Sequence, residues 1–425
     1  MGKGFLNELK EYLRSSGVNP LPLSDIPEEV APDLPVATSS TGAIEIMHLE
    51  VGTSPEVETI FTFFVDGVQR TVPIGEVIVK EVRVPIHIAH IIAGAMERVN
   101  KSMKPYKLRQ AIVLLFPYQA MKAYGWDKDS PPLDILDSTG NIYRKAKSKE
   151  EDNPEETPIF FSDTSISLRQ DQSGRNLILL GPGDLIKTGE VRRKALDRTK
   201  ELLRIVELGF IWEMRQEKND SWILLDGPIA PLLKYGRLAD SDLLGLEDIA
   251  NPEIAFDFLH RVIGAVKKVQ IVPTAGVEAA LNSANFVSPI FQFSSVVEDD
   301  DEVARWILSA YIWLRRELSR EITILWSTVS GLVRFDIPIP SILDESMRSS
   351  WKTIIMDNEK ALREYLSSET NRKRLEKLLQ AILIERWPVP SSTITRMLTE
   401  IFPIAETELW LKANLRDVLE LRNLI

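Results

Sequence analysis

The chain has no cysteine. Disulfides and thiolate metal sites are therefore excluded, and a reducing compartment fits. It also lacks any apolar run near the ~20 residues that a membrane span needs. Its start, MGKGFLNELKEYLRSSG, lacks the pattern of a signal peptide and reads as a short amphipathic helix. A cytoplasmic location with no membrane contact is expected by elimination. An excess of basic charge is missing too: the net charge is −11 and the pI about 5.2. A protein that grips DNA by bulk charge would be basic. Any nucleic-acid contact must be local, or a partner must supply the grip. The local basic clusters are Arg144 to Lys147, Arg192 to Lys194, Lys267-Lys268 and Arg372 to Arg374. Such clusters are usually solvated faces.

What is present is ordinary for a globular protein: 425 residues, 44% hydrophobic and 27% charged. That length allows a large core and two or three domains. Residues 19–35 are Pro-rich and acidic, the composition of a linker or surface strap. The segment IFTFFVDG is a buried-strand signal that is expected to stop at Gly67, followed by two β-branched strands in a meander. Residues 126–158 read as a long polar insertion. A helix is expected over about 190–215, then strands at WILLDGP (222–228) and near 261–270. VARWILSAYIWLRREL fits a helix or a buried strand equally well. LVRFDIPIP (332–340) alternates and breaks at prolines like an edge strand. The tail from Met347 is mostly helical, with a break at 386–390. This order predicts an α/β protein with one mixed sheet covered by helices. The segments are 1–40 (helix and linker), 41–345 (core) and 346–425 (a helical region completing the core).

Chemistry points to two Asp-Gly pairs. Asp66 follows Phe63-Phe64-Val65, and Asp226 follows Trp222 to Leu225. A strand buried on both faces delivers its last residue to the sheet rim, where α/β proteins place their sites. The bland reading of Asp-Gly is a turn. Two matching apolar-strand-Asp-Gly units favour function. Were the strands neighbours, carboxylates ~4 Å apart would repel by about 4 kcal/mol at an effective dielectric of ~20. Such a pair protonates one acid or recruits a cation. Oxygen ligands suit Mn²⁺ or Mg²⁺, which polarises phosphoryl oxygens and activates water. For a third acid the intervening helix offers Glu201 and Glu207, each in an Arg-x-x-Glu step. A surface helical pair is the bland alternative. Asp163, ending IFFSDT, shares the strand-end pattern.

Several stretches, in order, resemble the NurA family of bacterial and archaeal DNA-end-processing nucleases. They are FFVDG (63–67), RRKALDRTKELLRIVE before WILLDG (222–227), VIGAVKK (262–268) and GLVRFDIPIP (331–340). The resemblance implies an RNase H-like core, Mn²⁺-dependent DNA cleavage, a homodimer, and docking on a hexameric HerA-type ATPase in end processing, repair or phage defence. It makes Asp66 and Asp226 metal aspartates and Lys267 a phosphate contact. Glu201 or Glu207 becomes the helix glutamate, and the set expected at the metal is Asp66, Glu201 and Asp226. Arg334 and Asp336 fall on the family's Arg-x-acid-x-Pro strand. One departure matters: Trp387 stands for the family's C-terminal tyrosine, and Thr395 falls where its histidine would be. That removes a ligand or proton-transfer group. It motivates a second expectation, a non-catalytic scaffold that binds the ATPase.

Other signals are weaker. His87 and His90 would face opposite ways in a strand, which makes them core or rim residues, as with His260. LLGPGDLIKTGE lacks the Gly-Lys-Ser/Thr ending of a phosphate loop, so Gly181 and Gly183 read as a turn. Trp306, Trp313 and Trp326 read as core.

Overall fold

Hydrophobic runs rich in Ile and Val are too stiff at χ1 and too apolar to do anything but pair as buried strands. Three of them make the first half of the sheet in the computed structural model: β1 (Phe61–Val79), β2 (Val82–Val99) and β3 (Ser102–Phe116). They form an antiparallel meander. Its two turns are Lys80-Glu81 and Asn100-Lys101, all four residues at positive φ, as two-residue hairpins of matching twist require. The structure describes residues 3–20, 38–39, 44–45, 59–129, 134–136, 157–170, 175–229, 251–267, 269, 271–272, 290–292, 306–315, 331–353, 359–386, 388 and 398–424. Trp326, Trp387, Thr395, Lys268, the Arg144 to Lys147 cluster and most of 126–158 lie outside them.

A short helix, α1 (Tyr118–Tyr124), leads to β4 (Ile159–Asp163), which pairs parallel to β3. The long helix α2 (Thr188–Glu217) then packs Leu202, Val206 and Phe210 into the core and returns the chain to β5 (Trp222–Asp226). Helix α3 (Pro252–Leu259) leads to β6 (Val262–Val266); β7 (Ile307–Trp313) and β8 (Leu332–Pro338) follow. Among the described residues the sheet has twelve strands, and those named run in the order β7-β8-β6-β5-β1-β2-β3-β4. Strand β5 pairs parallel to both β1 and β6. The subset β3-β2-β1-β5-β6, in which β2 alone is antiparallel, is the RNase H-like core expected from the motifs. The fold is thus a mixed α/β sheet covered by helices.

Helices α4 (Glu359–Ser367), α5 (Glu369–Ile384) and α6 (Phe402–Asn414) follow. Residues of α5 and α6 join the core through Leu379, Ile382 and Ile404. Arg98 of β2 donates to Glu385 at 2.7 and 2.6 Å and to Thr59 Oγ1 at 2.6 Å, tying the end of α5 to the sheet.

Two expectations are corrected, and one open alternative is resolved. The first strand does not stop at Gly67: pairing continues through Gly67↔Ala93 to Val79↔Val82. Asp66 is therefore a mid-strand residue. LVRFDIPIP is no edge strand, since β8 lies between β6 and β7. Its prolines fall at or after the strand's last residue, where no ladder donor is needed. The ambiguous apolar run around Trp306 is strand β7, buried at every position.

Candidate active site

Alternation along β1 sends Asp66 and Gly67 to opposite faces. Gly67 faces α2. A methyl group there would overlap Glu207 Oε1 and lie 2.8 Å from Leu203 Cδ1. Glycine leaves room here for the Glu207 carboxylate, which lies against the strand. Asp66 faces the other layer. Its cross-strand partner Gly94 has room for no side chain beneath Leu411 of α6. Parallel pairing sets Leu225 against Val65, and one step further brings Asp226 opposite Asp66. Strand β5 ends there, with Gly227 at φ +109°, a conformation that glycine adopts freely. The sheet thus opens beside β1, and acids reach the gap from both faces.

The polar contacts are few and charged. Asp66 Oδ1 accepts from the Gly67 amide at 2.7 Å. Its other oxygen, Oδ2, is buried with no hydrogen-bond partner. Lys267, one residue past β6, places Nζ 2.8 Å from Asp226 Oδ2 and 4.0 Å from Glu400 Oε1. Arg204 donates to Glu207 Oε2 at 2.6 Å. Glu207 is 1% exposed and Asp66 5%, so these charges interact through little water.

Proton affinities record the crowding. Burial pushes the Asp66 carboxyl well above the usual carboxylate range, and the charge of Asp226 pushes it further; Lys267 opposes both. Burial also raises Asp226, against the pull of Lys267 and with the push of Glu408. Glu207 is raised by burial despite its Arg204 partner. Lys267 would be lowered by its own burial, but Asp226, Asp66 and Glu400 outweigh that and raise it. The region therefore carries more buried negative charge than its two cations neutralise.

Of the sequence candidates, the structure gathers Asp66, Glu207, Asp226 and Lys267. Glu201 is not among them. It lies six positions earlier on α2, ~9 Å along and about 240° around the helix. There it pairs at 3.1 Å with Arg198 and is 37% exposed on its side chain. Asp163 is elsewhere too. It accepts from the amides of Gln119 and Ser165, both at 2.9 Å, and so fixes the start of α1. Asp336 accepts from Arg334 at 2.8 Å and from the Ile229 amide at 3.1 Å, holding the chain just past Asp226. His90 is satisfied at both nitrogens, by Gln110 and by the Arg416 amide, and burial lowers its pKa to about 4. Gly181 makes the expected turn, its amide donating to Asp184.

Glu400 and Glu408 were not legible as site residues. No apolar strand precedes them, and Glu408 sits one helical turn from Lys412, which reads as a surface pair. Among the described residues, no three acidic or histidine side chains converge closely enough to cage a metal ion unaided. Two facts account for this. Glu207 approaches from the face opposite Asp66, and Lys267 and Arg204 already hold carboxylate oxygens.

No family model matches the chain, and no curated protein matches it. Among solved structures it is similar to the crystal structure of the NurA nuclease from Sulfolobus solfataricus, with 12% identity and a TM-score of 0.26. The match covers 78% of this chain and 87% of that one.

Proposed function

We propose that the chain is a metal-dependent nuclease that hydrolyses phosphodiester bonds in DNA. One observation carries the reading: a buried, unpartnered Asp66 oxygen beside Asp226, in a gap in the sheet that also holds Glu207 and Lys267. An isolated carboxylate held in low dielectric is unfavourable unless something positive meets it. The donors are all oxygens, which fits Mn²⁺ or Mg²⁺ in kind. Asp66 and Asp226 would hold the ion from one face; Glu207, on the other face, would have to move to join them. Bound there, the ion would polarise a phosphoryl oxygen and ease ionisation of water. Lys267 and Arg204 must then release an oxygen each. Lys267 has Glu400 within 4.0 Å to receive it, and from there it can meet a substrate phosphate. Arg204 keeps Glu207 oriented until then.

The motif resemblance supports DNA as substrate and a HerA-type hexameric ATPase as partner, with a homodimer as the working unit in end processing or phage defence. The test is cleavage of linear and circular DNA with Mn²⁺, Mg²⁺ or EDTA. Activity should require a divalent ion, and Asp66→Ala or Asp226→Ala should each reduce it at least ~100-fold with the circular-dichroism spectrum unchanged. Metal-dependent cleavage that survives Asp66→Ala would refute the assignment.

The ion pairs made by Lys267 and Arg204 favour one other reading, a scaffold whose cations have permanently replaced the metal. It predicts no cleavage with either ion, alone or with the ATPase, together with stable binding to that ATPase.

A further inference from the structure

At the opposite end of β5, ~13 Å from Asp226 by strand rise, lies a cavity of about 460 Å³. Trp222, the first residue of β5, forms one wall and is half-buried; Leu343 and Leu378 supply further apolar surface. The cavity's volume suits a small organic ligand, and its lining mixes apolar with polar and charged side chains. Its polar groups are specific. His260 donates from Nδ1 to the Pro340 carbonyl at 2.8 Å and stacks on Phe256 at 5.1 Å. Those contacts fix ring and tautomer, leaving Nε2 as an acceptor. That atom is buried and has no hydrogen-bond partner; the nearest charged group is Glu345, at 3.8 Å.

Three cations line the same cavity: Arg261, Arg374 and Lys377. Arg261 is held at φ +61°, a strained conformation for a residue with a side chain. It donates to the Asp220 carbonyl at 2.6 Å and lies 3.7 Å from Glu345. Arg374 pairs with Asp344 at 3.2 Å. Lys377 is exposed and has no partner among the described residues. Arg261 also pairs with the Asp220 carboxylate at 3.1 Å, so Asp220, Asp344 and Glu345 balance the three cations, and the charge offered to a ligand is that of exposed Lys377.

From this cavity we infer a binding site for a nucleoside monophosphate, separate from the acidic gap. The planar base would lie along Trp222 and the leucines, where stacking and burial favour it. The His260 ring, held by Pro340 and Phe256, would form a fixed side of the site beside the base. The phosphate would meet Lys377, with Arg261 and Arg374 beside it. A sugar phosphate offers no flat apolar face for Trp222. A neutral aromatic compound leaves Lys377 unused. The inference does not depend on the nuclease reading, because no residue is shared with the acidic gap.

The test is isothermal titration calorimetry of the full chain with adenosine monophosphate in EDTA, which keeps metal out of the acidic gap. One-to-one binding is expected, with adenosine and inorganic phosphate each at least tenfold weaker. The exposed change Lys377→Glu should weaken binding at least tenfold, and Asp66→Ala should leave it unchanged. Absence of binding up to millimolar nucleotide would overturn the site. So would binding indifferent to Lys377→Glu, or binding abolished by Asp66→Ala.

Discussion

Asp66 carries the site's electrostatic strain, and its sign can be worked out. Its folded proton affinity lies above the ordinary value of 3.8. Below 3.8 both folded and unfolded chains are protonated, and the group is neutral to stability. As pH rises from there through the folded value, the unfolded chain gives up its proton first, and stability falls. Asp66→Asn removes that penalty. It should raise the melting temperature of the metal-free protein at pH 7, and the gain should fade near pH 3.8; calorimetry in EDTA at both pH values would show it. Functional sites commonly trade stability in this way. Gly67 makes a companion case. Gly67→Ala drives a methyl group into Glu207, and overpacking of this kind costs about 1–3 kcal/mol. Shortening the acid in the same chain, Gly67→Ala with Glu207→Ala, should recover part of the loss in urea denaturation.

Among the elements, the long helix and the strands at Trp222 and Val262 stood out in the sequence because each has a clean period or a closed apolar run. The extent of β1 did not. Asp-Gly marks a turn in most contexts, and only the packing of Glu207 on Gly67 shows why this one continues as strand. The hairpin turns were equally hidden. Lys80-Glu81 takes a conformation that Asn-Gly would have announced, and long-range pairing overrides local preference there. The site was legible as far as strand-borne acids went, and the choice between Glu201 and Glu207 needed the helix to be rotated into place. The contribution of α6 depends on tertiary folding alone. Its neighbour α5 is joined to the sheet by the Arg98–Glu385 pair, in which Glu385 is 1% exposed. Arg98→Met strands that carboxylate and should destabilise the protein by about 3–5 kcal/mol. Arg98→Met with Glu385→Leu should restore most of it, measured by urea midpoint. The last turn of chain docks through His90. Its folded pKa of about 4 lies below the ordinary 6.5. Below 6.5 the unfolded chain takes a proton that the folded one refuses, so stability falls down to about pH 4 and then levels. The advantage of wild type over His90→Leu should shrink across that window.

For the whole molecule, net charge bears on the proposed contact with DNA. A net charge of −11 repels a polyanion everywhere except at local cations. Anisotropy titrations with duplex DNA should therefore give weak binding, with a salt slope of only about −2 to −4, the mark of a few phosphate contacts. A steep slope near −10 would mean a basic surface outside the groups described. If the proposed HerA-type ATPase supplies the grip, tight engagement is expected only when it is added.

The acidic gap draws on positions 66, 207, 226, 267, 400 and 408. Its groups lie far apart along the chain; Glu400 comes just before α6, and Glu408 arrives on that helix, which ends at Asn414. During synthesis the early strands can pair long before that helix exists. The acidic gap therefore cannot close on a growing chain, and a product truncated before position 400 would carry both Asp-Gly motifs without Glu400, which lies beside Lys267. A ribosome making this protein completes its acidic gap last.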